Sequence, residues 1–264
     1  METACRHLGR SLGRLSLLGA EVDVITPAHV LDFVAMRATS GQGGIVANHN
    51  LHSLYLYQKS AAMRAFYALA DLIEIDSTPM IAWARLLGHQ VSRDHRCTYL
   101  DFREDFWARA QGHDWCIYHI GGASEHNAAS RDAILRRYPG VRLHLHTGYF
   151  DMNGPDNDAL LADIAMHRPQ VLLVGMGMPR QEMWILANHD RLPPCVILPV
   201  GAAFDYEAGV MYTPPRWTGR IGLEWLVRFV HEPRRLFERY FVEPWHLIPQ
   251  ALKDVASRRI GSAT

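Results

Sequence analysis

The segment VLLVGMGMPRQEMW, residues 171–184, joins an apolar run to a glycine turn and then to a helix-like stretch. Its first part, residues 171–174, is continuously apolar, which is typical of a strand buried on both faces of a sheet. Pro179 suits the first position of a helix, because its fixed φ matches the helix and its missing N–H is not needed there. The segment therefore predicts a strand, a tight turn and a helix, the repeating unit of a parallel sheet.

The same unit recurs along the chain, and each strand-like run ends in glycine or polar residues. The other runs and their helix-like partners are GGIVANHN with LHSLYLYQKSAAMRAFYALA, LIEID with TPMIAWARLLG, WCIYHIGG with SEHNAASRDAILRRYPG, VRLHLHTGYF with NDALLADIAMHRP, and a final CVILPVGAAFD. This alternation predicts an α/β fold with a mostly parallel sheet flanked by helices. In open α/β sheets ligands bind at the carboxyl ends of the strands, where these polar residues gather.

Two glycines, Gly175 and Gly177, precede the expected helix start at Pro179. Amide N–H groups at a helix start carry partial positive charge and favour a phosphate. Arg180 and Gln181 would add donors to a diphosphate or a ring. The spacing is not the GxGxxG dinucleotide motif, since Arg180 stands where the third glycine would be. Two interpretations stay open, a phosphate-binding turn and a turn that only reverses the chain.

A second turn of this form contains Gly121 and Gly122, which follow the strand-like run of residues 115–120. Two such turns at one sheet edge favour a nucleotide-binding edge more than either does alone. Glycine required only for chain reversal is the alternative interpretation.

Asp76 ends the apolar run LIEI and raises the question of catalysis. Aspartate is favoured at helix starts, but with Pro79 at the first helical position Thr78 would already fill the cap. A carboxylate at the carboxyl edge of the sheet is well placed to take a proton from a hydroxyl nucleophile. A general base and a turn-stabilising side chain both remain open.

The run VANHNLHSLYL adds two asparagines, Asn48 and Asn50, at another strand end. Amide side chains both donate and accept hydrogen bonds, which suits sugar hydroxyls or a base edge. A capping role is the alternative, and it would need only one of them.

Composition limits the class of protein. A chain of 264 residues with 48% hydrophobic residues can bury the core of one large α/β domain, or of one domain with an appendage. A net charge of zero argues against a general nucleic-acid binder, and four widely spaced cysteines indicate neither zinc nor disulfides. Because no apolar stretch approaches about 20 residues and no signal-peptide pattern precedes Asp23, we expect a cytoplasmic protein.

The sequence predicts no metal site. The triplet DND, residues 156–158, matches the short DxD pattern of many cation-dependent sugar-nucleotide transferases, but it also stands where Asp156 or Asp158 would cap a helix. We favour the cap, because three-residue patterns occur often by chance and no HExxH motif accompanies this one.

The composition changes after Val210, which predicts a core of residues 1–210 and a helical appendage of residues 211–264. The appendage carries nine Arg or Lys against five acidic residues, a net charge of +4, so the rest of the chain is −4. Tryptophans and phenylalanines lie among these arginines. They indicate either a packed helical pair or an amphipathic segment at an anionic membrane surface.

Seven blocks in order carry a resemblance to a known family. They are NHNLHSLYL, ADLIEIDSTPMIAWARLLG, IYHIGGASE, HTGYFD, VLLVGMGMPRQEMWI, VGAAFDYEAG and TPPRWTGRIGLEWLVRFVHEPRRLFERY. From about residue 20 to 247 the chain resembles the WecG/TagA/CpsF family, bacterial glycosyltransferases that extend polyprenyl-diphosphate-linked saccharides of surface polymers. The family usually has glycine where Ser77 stands and often threonine where Asn48 stands. The block NHNLHS is similar to a GumM-like exopolysaccharide glucosyltransferase branch.

The resemblance implies an inverting, metal-independent enzyme with a Rossmann-like core, a UDP-sugar donor and no cofactor. The acceptor would be a polyprenyl-diphosphate-linked saccharide, and the appendage would dock on the inner face of the cytoplasmic membrane; a homo-oligomer stays open. The family's base falls on Asp76. Its substrate-binding residues fall on Asn50, Arg96, Gln181 of the PxQE motif with Glu182 beside it, Asp205, Arg228, Arg234, Arg235 and Arg239.

Two other classes of protein compete with this interpretation. A nicotinamide-dependent sugar-nucleotide oxidoreductase would need GxGxxG and a later acidic residue after the first strand, and GGIVANHN supplies neither. A non-catalytic, membrane-bound nucleotide-sugar binding protein would share the binding features, and only transfer of the sugar separates it from an enzyme.

Overall fold

The computed structural model describes residues 13–213, 218 and 222–261, and for residues 259–261 only the backbone. The expected α/β architecture is confirmed there. A six-stranded, fully parallel sheet is formed by β3 (Gly44–His49), β4 (Leu72–Ile75), β5 (Cys116–Gly121), β6 (Arg142–His146), β7 (Val171–Gly175) and β8 (Val196–Pro199). A separate antiparallel hairpin, β1 (Arg14–Leu17) with β2 (Ala20–Asp23), precedes it.

The stretch of residues 51–70, which the sequence predicts as one helix, is divided at Ser60 into two helices. Helices otherwise connect the strands in the expected alternation. In chain order they are α1 (Pro27–Ser40), α2 (Leu51–Lys59), α3 (Ala61–Leu69), α4 (Thr78–Leu86), α5 (Tyr99–Gly112), α6 (Ser124–Arg137), α7 (Pro155–His167), α8 (Arg180–Asn188) and α9 (Ala203–Glu207). The appendage contributes α10 (Glu224–His231), α11 (Pro233–Phe241) and α12 (Ile248–Gly261).

The strand order is β4-β3-β8-β7-β5-β6. This is an open parallel sheet of Rossmann type, although the order differs from the 3-2-1-4-5-6 of the dinucleotide-binding fold. The chain builds β3 and β4 at one side, crosses to β5 and β6, and returns through β7 and β8 to the middle. All six carboxyl ends therefore meet at one edge.

The strands alternate between two apolar clusters, one on each face of the sheet. In β7, Leu172 and Val174 pack into the cluster that contains Trp184, whereas Val171 and Leu173 pack into the other. Burial on both faces is the reason that this strand is continuously apolar.

The hairpin covers β4, the strand at one end of the sheet. The Asp23 carboxylate accepts a hydrogen bond from the Ile73 N–H at 2.8 Å and also binds Arg14, with its Oδ1 at 2.7 Å from the Arg14 Nε. Covering a strand in this way protects its exposed edge from pairing with other chains.

The appendage packs against the core over its last part. Leu247 is only 4% exposed and joins the cluster that contains Trp184. Asp254 of α12 accepts hydrogen bonds from the Trp83 Nε1–H and the Leu18 N–H, both at 2.8 Å. The boundary near Val210 stays a prediction, and these contacts cross it.

Two expected helix starts are displaced by one residue. Ser77, with an extended backbone, precedes α4, so Thr78 is the first helical residue and Pro79 the second. Pro179 likewise precedes α8, which begins at Arg180. The expected cap at Thr78 and the expected first helical position at Pro179 were wrong, because proline is compatible with several positions around a helix start and the packing of each turn selects one of them.

Candidate active site

Asp76 lies at the carboxyl end of β4. Its N–H donates to the His49 carbonyl at 2.8 Å, which ties the end of β4 to the end of β3. The segment after α4 then runs beside β4, where Ile75 bridges to Arg96 and accepts from the Cys97 N–H at 2.9 Å. This local pairing brings Arg96 next to Asp76, although the two lie far apart in the chain.

The surroundings of Asp76 adjust its basicity. The side chain is half-buried. Burial raises the pKa of Asp76 to about 6; Arg96 and Arg228 oppose this shift, and Glu224 and Asp101 add to it. Such a carboxyl is ionised at neutral pH and is a stronger base than a solvent-exposed aspartate, which suits general-base chemistry.

Residues of α10 in the appendage interact electrostatically with Asp76. The buried Arg96 guanidinium forms an ion pair with Glu224, with 2.9 Å between Nη1 and Oε2. One helical turn later, Arg228 donates to the Tyr206 hydroxyl at 2.7 Å and lies over its ring, 5.8 Å from the centroid. Core and appendage residues therefore surround Asp76 together.

The four appendage arginines of the sequence prediction occupy different environments. Arg228 lies within electrostatic range of Asp76. Arg234 and Arg235 are exposed, and Arg235 forms an ion pair with Glu232. Arg239 is half-buried, and burial followed by the charge of Arg235 lowers its pKa. Only Arg228 of the four is brought to the base in this structure.

The strand-end glycines Gly121 and Gly175 are required by packing. They are neighbours in register, and a Cβ on Gly121 would lie 2.3 Å from the Gly175 carbonyl oxygen. A Cβ on Gly175 would lie 2.6 Å from the Gly201 carbonyl oxygen. Three strand ends therefore approach so closely that only glycine fits. Chain packing alone explains these two glycines, and a phosphate role for them stays a prediction.

Gly122 and Gly177 adopt left-handed backbone conformations, with φ of +61° and +76°. The Gly177 N–H, expected to be free for a phosphate, donates to the Gln181 Oε1 at 3.1 Å. The same Oε1 accepts from the Gly201 N–H at 3.2 Å. Gln181 thus joins the loops that follow β7 and β8.

Glu182 fixes the orientation of this glutamine. The Gln181 Nε2 donates to the Glu182 Oε1 at 2.7 Å, and both side chains are at most 1% exposed. Burial raises the pKa of Glu182 to about 7. Their predicted substrate contacts stay predictions. In the structure Gln181 binds the loops after β7 and β8, and Glu182 binds Gln181.

Arg180 is held beside the loop that follows β6. Its Nη2 donates to the Phe150 carbonyl at 2.6 Å, and its guanidinium lies 5.6 Å from the centre of the Phe150 ring. The residue is half-buried at the start of α8, on the same edge as the glycine turns.

Asp205 connects the glycine turns to the base region. Its Oδ1 lies 3.0 Å from His126 Nδ1 and 3.8 Å from the place where a Cβ on Gly122 would stand. The next residue, Tyr206, binds Arg228. The start of α9 therefore lies between the two parts of the candidate site.

The two asparagines after β3 have partners in the protein. Asn48 donates through Nδ2 to the Pro199 carbonyl at 3.0 Å. Asn50 caps α2, because its Oδ1 accepts from the Ser53 N–H at 3.0 Å and its own N–H donates to the Ser53 Oγ at 2.8 Å. Their predicted contacts with substrate stay predictions.

Sequence reasoning missed four residues of this site: Glu74, His126, Tyr206 and Glu224. Glu74 had a usable signal, since an acidic residue in the apolar run LIEI is a buried polar group that calls for explanation. It is 5% exposed, and burial, followed by the charge of Asp76, raises its pKa far above the ordinary value. The other three could be found only from the folded chain.

The DND triplet is distributed over the first turn of α7. Gly154 occupies the N-cap, so the expected cap by Asp156 or Asp158 was wrong, although both carboxylates lie where the helix dipole favours them. Asn157 points inward and accepts from the Trp184 Nε1–H at 2.7 Å.

Among the residues that the structure describes, no group of three His, Cys, Asp or Glu side chains could hold a metal ion. None of the described helices combines the length and the apolar character needed to cross a bilayer.

Comparison with known proteins identifies the family. A model described as "Glycosyl transferase WecG/TagA/CpsF family" matches residues 15–261. Two relatives from Staphylococcus aureus, strains MRSA252 and NCTC 8325, are each 23% identical over 233 residues, or 84% of this chain and 87% of the relative. Both are named N-acetylglucosaminyldiphosphoundecaprenol N-acetyl-beta-D-mannosaminyltransferase. The resemblance inferred from the seven sequence blocks is confirmed, and the chain belongs to the WecG/TagA/CpsF family of glycosyltransferases.

Proposed function

We propose that this enzyme transfers a hexose from a UDP-sugar to a hydroxyl group of a polyprenyl-diphosphate-linked saccharide. The observation that carries the proposal is the half-buried Asp76, with its raised pKa, between Arg96 and Arg228 at the carboxyl edge of the sheet. The names of the Staphylococcus aureus relatives support the acceptor class, because those proteins act on a diphosphoundecaprenol-linked sugar.

The reaction is a single displacement. The acceptor hydroxyl oxygen attacks the anomeric carbon, its proton passes to the Asp76 carboxylate, and the bond between the anomeric carbon and the UDP oxygen breaks. One displacement inverts the configuration at that carbon. General-base assistance of this kind contributes on the order of 10²–10⁴ in rate.

The two arginines serve the diphosphate groups. Arg96 and Arg228 place fixed positive charge beside the base, where it stabilises phosphate oxygens during bond breaking. The loop at Gly122 has a left-handed backbone and lies beside Asp205 on the same edge, and the nucleotide would bind against it. No metal ion or other cofactor is required by this scheme.

The appendage provides the contact with the membrane that carries the acceptor. Its exposed apolar side chains include Phe237 at 56% and Trp245 at 70% exposure, and Arg234 and Arg235 lie exposed nearby in α11. Exposed aromatic and basic residues on short amphipathic helices suit the interface of an anionic bilayer. The protein would act as a peripheral protein on the cytoplasmic face.

The donor sugar is proposed as glucose or an N-acetylmannosamine-type hexose for an exopolysaccharide or another surface polymer. The similarity of NHNLHS to the GumM-like branch supports glucose, and the names of the relatives support N-acetylmannosamine.

The test incubates the protein with a panel of UDP-sugars and a short-chain lipid-diphosphate glucose or N-acetylglucosamine, and identifies products by mass. We expect one UDP-sugar to yield UDP and an acceptor longer by one hexose. Asp76→Asn should keep UDP-sugar binding and lose turnover by a factor on the order of 10² or more. Binding of UDP-sugar without product would instead indicate a non-catalytic nucleotide-sugar binding protein, and full turnover in the variant would remove Asp76 from the role of base.

A further inference from the structure

Charged residues from both the core and the appendage act on the Asp76 base. One of these residues, Glu224, has no role in the reaction scheme above. Glu224 begins α10 in the appendage, and its side chain is only 12% exposed. It forms an ion pair with Arg96 at 2.9 Å across the boundary between appendage and core. A buried ion pair of this kind is expensive to form unless its geometry is well satisfied, so its position next to a reacting group calls for a reason.

We propose that Glu224 is a positioning residue for Asp76. The Glu224 carboxylate holds the Arg96 guanidinium and so prevents Arg96 from neutralising the Asp76 base. The inference rests on the proposed function, because it assigns Glu224 a role in the activity of the Asp76 base.

The first support is geometric. Arg96 reaches Asp76 because its backbone pairs with Ile75, directly before the base. A guanidinium in that place would bind a carboxylate in two parallel hydrogen bonds if no other anion competed. Glu224 supplies the competing anion, with its Oε2 2.9 Å from the Arg96 Nη1.

The second support is electrostatic. The titratable groups whose charges couple to Asp76 come from several elements: Arg96 beside β4, Glu74 on β4 itself, Tyr67 on α3, Cys97, Asp101 on α5, Glu224 and Arg228 on α10, and Tyr240 on α11. Within this group the two arginines lower the pKa of Asp76, and Glu224 with Asp101 raises it. Removing the charge of Glu224 should therefore weaken the base.

The consequence is that the base reaches its working strength only when the appendage is in place. Asp76 belongs to the core, whereas Glu224 and Arg228 belong to the appendage. The appendage would then act on the chemistry of the site as well as on membrane contact.

The experiment measures the titration of Asp76 directly by NMR of the aspartate carboxyl carbons, with the signal assigned by its absence in Asp76→Asn. Glu224→Gln keeps the size of the side chain and removes its charge. We expect the titration midpoint of the Asp76 carboxyl to fall by about 0.5 pH unit in this variant, because the loss of one nearby negative charge makes the carboxylate easier to form. The low-pH limb of the kcat/KM profile should move in the same direction.

Two further variants separate charge from shape. Glu224→Asp retains the carboxylate and should keep the midpoint of the unchanged protein. Glu238→Gln removes an exposed carboxylate of α11 and should also leave it unchanged. Thermal melting verifies that each variant is folded.

An unshifted Asp76 midpoint in folded Glu224→Gln would overturn the inference, even if the rate fell at every pH, because Glu224 would then only dock the appendage. The NMR arm requires no turnover, so its result is independent of the proposed reaction. If no UDP-sugar gave a product, the proposed function would fail, and if Asp76→Asn were fully active, Asp76 would lose its role as base; in both cases the titration could still show the coupling.

Discussion

At the scale of single residues, Asp76 and two nearby acidic residues are kept in surroundings that cost stability. Glu74 and Glu182 are buried and Asp76 is half-buried, and burial raises the pKa of each. Buried carboxyls of this kind are retained at sites where their protonation behaviour is used. The cost of ionising them should be measurable.

For Asp76 the sign of the effect follows from its raised pKa. The folded chain holds the proton up to about pH 6, whereas the unfolded chain loses it near its ordinary value of 3.8. Stability should therefore fall as the pH rises through this window, and the full penalty should be present above pH 6.

We predict that Asp76→Asn, which cannot ionise, melts about 3 °C higher than the unchanged protein at pH 8, with a smaller difference at pH 5. Melting followed by circular dichroism at both pH values is the measurement. A difference that stays constant between pH 5 and pH 8 would show that ionisation of Asp76 is not its cause.

Gln181 offers a second residue-scale prediction. Gln181→Ala removes the acceptor of the Gly177 and Gly201 amides and should lower the free energy of unfolding by about 2 kcal/mol, the cost of leaving buried donors unpaired. The KM for the sugar donor should rise, because the loops after β7 and β8 lose their connection.

The matched control for that change is Gln111→Ala. Gln111 also accepts from a glycine amide, that of Gly140 at 3.0 Å, but it is exposed. Its removal should cost less than about 0.5 kcal/mol, as for most surface substitutions. Chemical denaturation gives both values, and equal losses would argue against a special role for the buried glutamine.

At the scale of elements, the ends of the strands decide the shape of the site. Three strand ends meet at Gly121, Gly175 and Gly201, and the turns that follow them begin from this contact. The backbones of the three strand ends are packed so closely that this edge of the sheet holds the loops rigidly.

We predict that Gly121→Ala costs about 3 kcal/mol or prevents folding, because its Cβ would lie 2.3 Å from a backbone oxygen that cannot move aside. Gly112→Ala is the control, since Gly112 ends α5 with open space around its Cα. That change should be neutral, or stabilising by up to about 1 kcal/mol. Denaturant titration measures the free energy of unfolding of both variants. A Gly121→Ala variant as stable as the unchanged protein would contradict the packing explanation.

At the scale of the whole molecule, the appendage has two different faces. Through Leu247 and Asp254 it packs on the core, and through Glu224 and Arg228 it acts electrostatically on Asp76. Its outer surface exposes aromatic and apolar side chains beside charged ones. Packing on the core therefore describes one part of the tail, and an amphipathic segment at a membrane stays a prediction for the exposed part.

We predict that Phe237→Ser combined with Trp245→Ser weakens binding to vesicles that contain anionic lipid, measured by sedimentation. Added salt should weaken binding of the unchanged protein as well, because it screens the attraction between arginines and lipid phosphates. Met166→Ser, which removes an apolar side chain that is 71% exposed on α7, should leave binding unchanged. Equal binding by the double variant and the unchanged protein would separate the appendage from membrane contact.

The sequence by itself determined the local units of this protein. Apolar runs such as LIEI and VLLV specify buried strands, and the residues after them place Asp76 and the glycines at strand ends, because periodicity and turn chemistry act over a few residues. The resemblance carried by the seven blocks added the family and the expected base. Neither the local sequence patterns nor the family resemblance could give the strand order or show which buried groups pair.

Only the tertiary structure brought Arg96, Glu224 and Arg228 to Asp76 and made Gln181 a link between two loops. Most of these contacts join residues from different elements, and their distances depend on how the crossovers and the appendage pack. The pKa of a carboxyl depends on those distances and on burial, so the strength of the base is a property of the folded molecule.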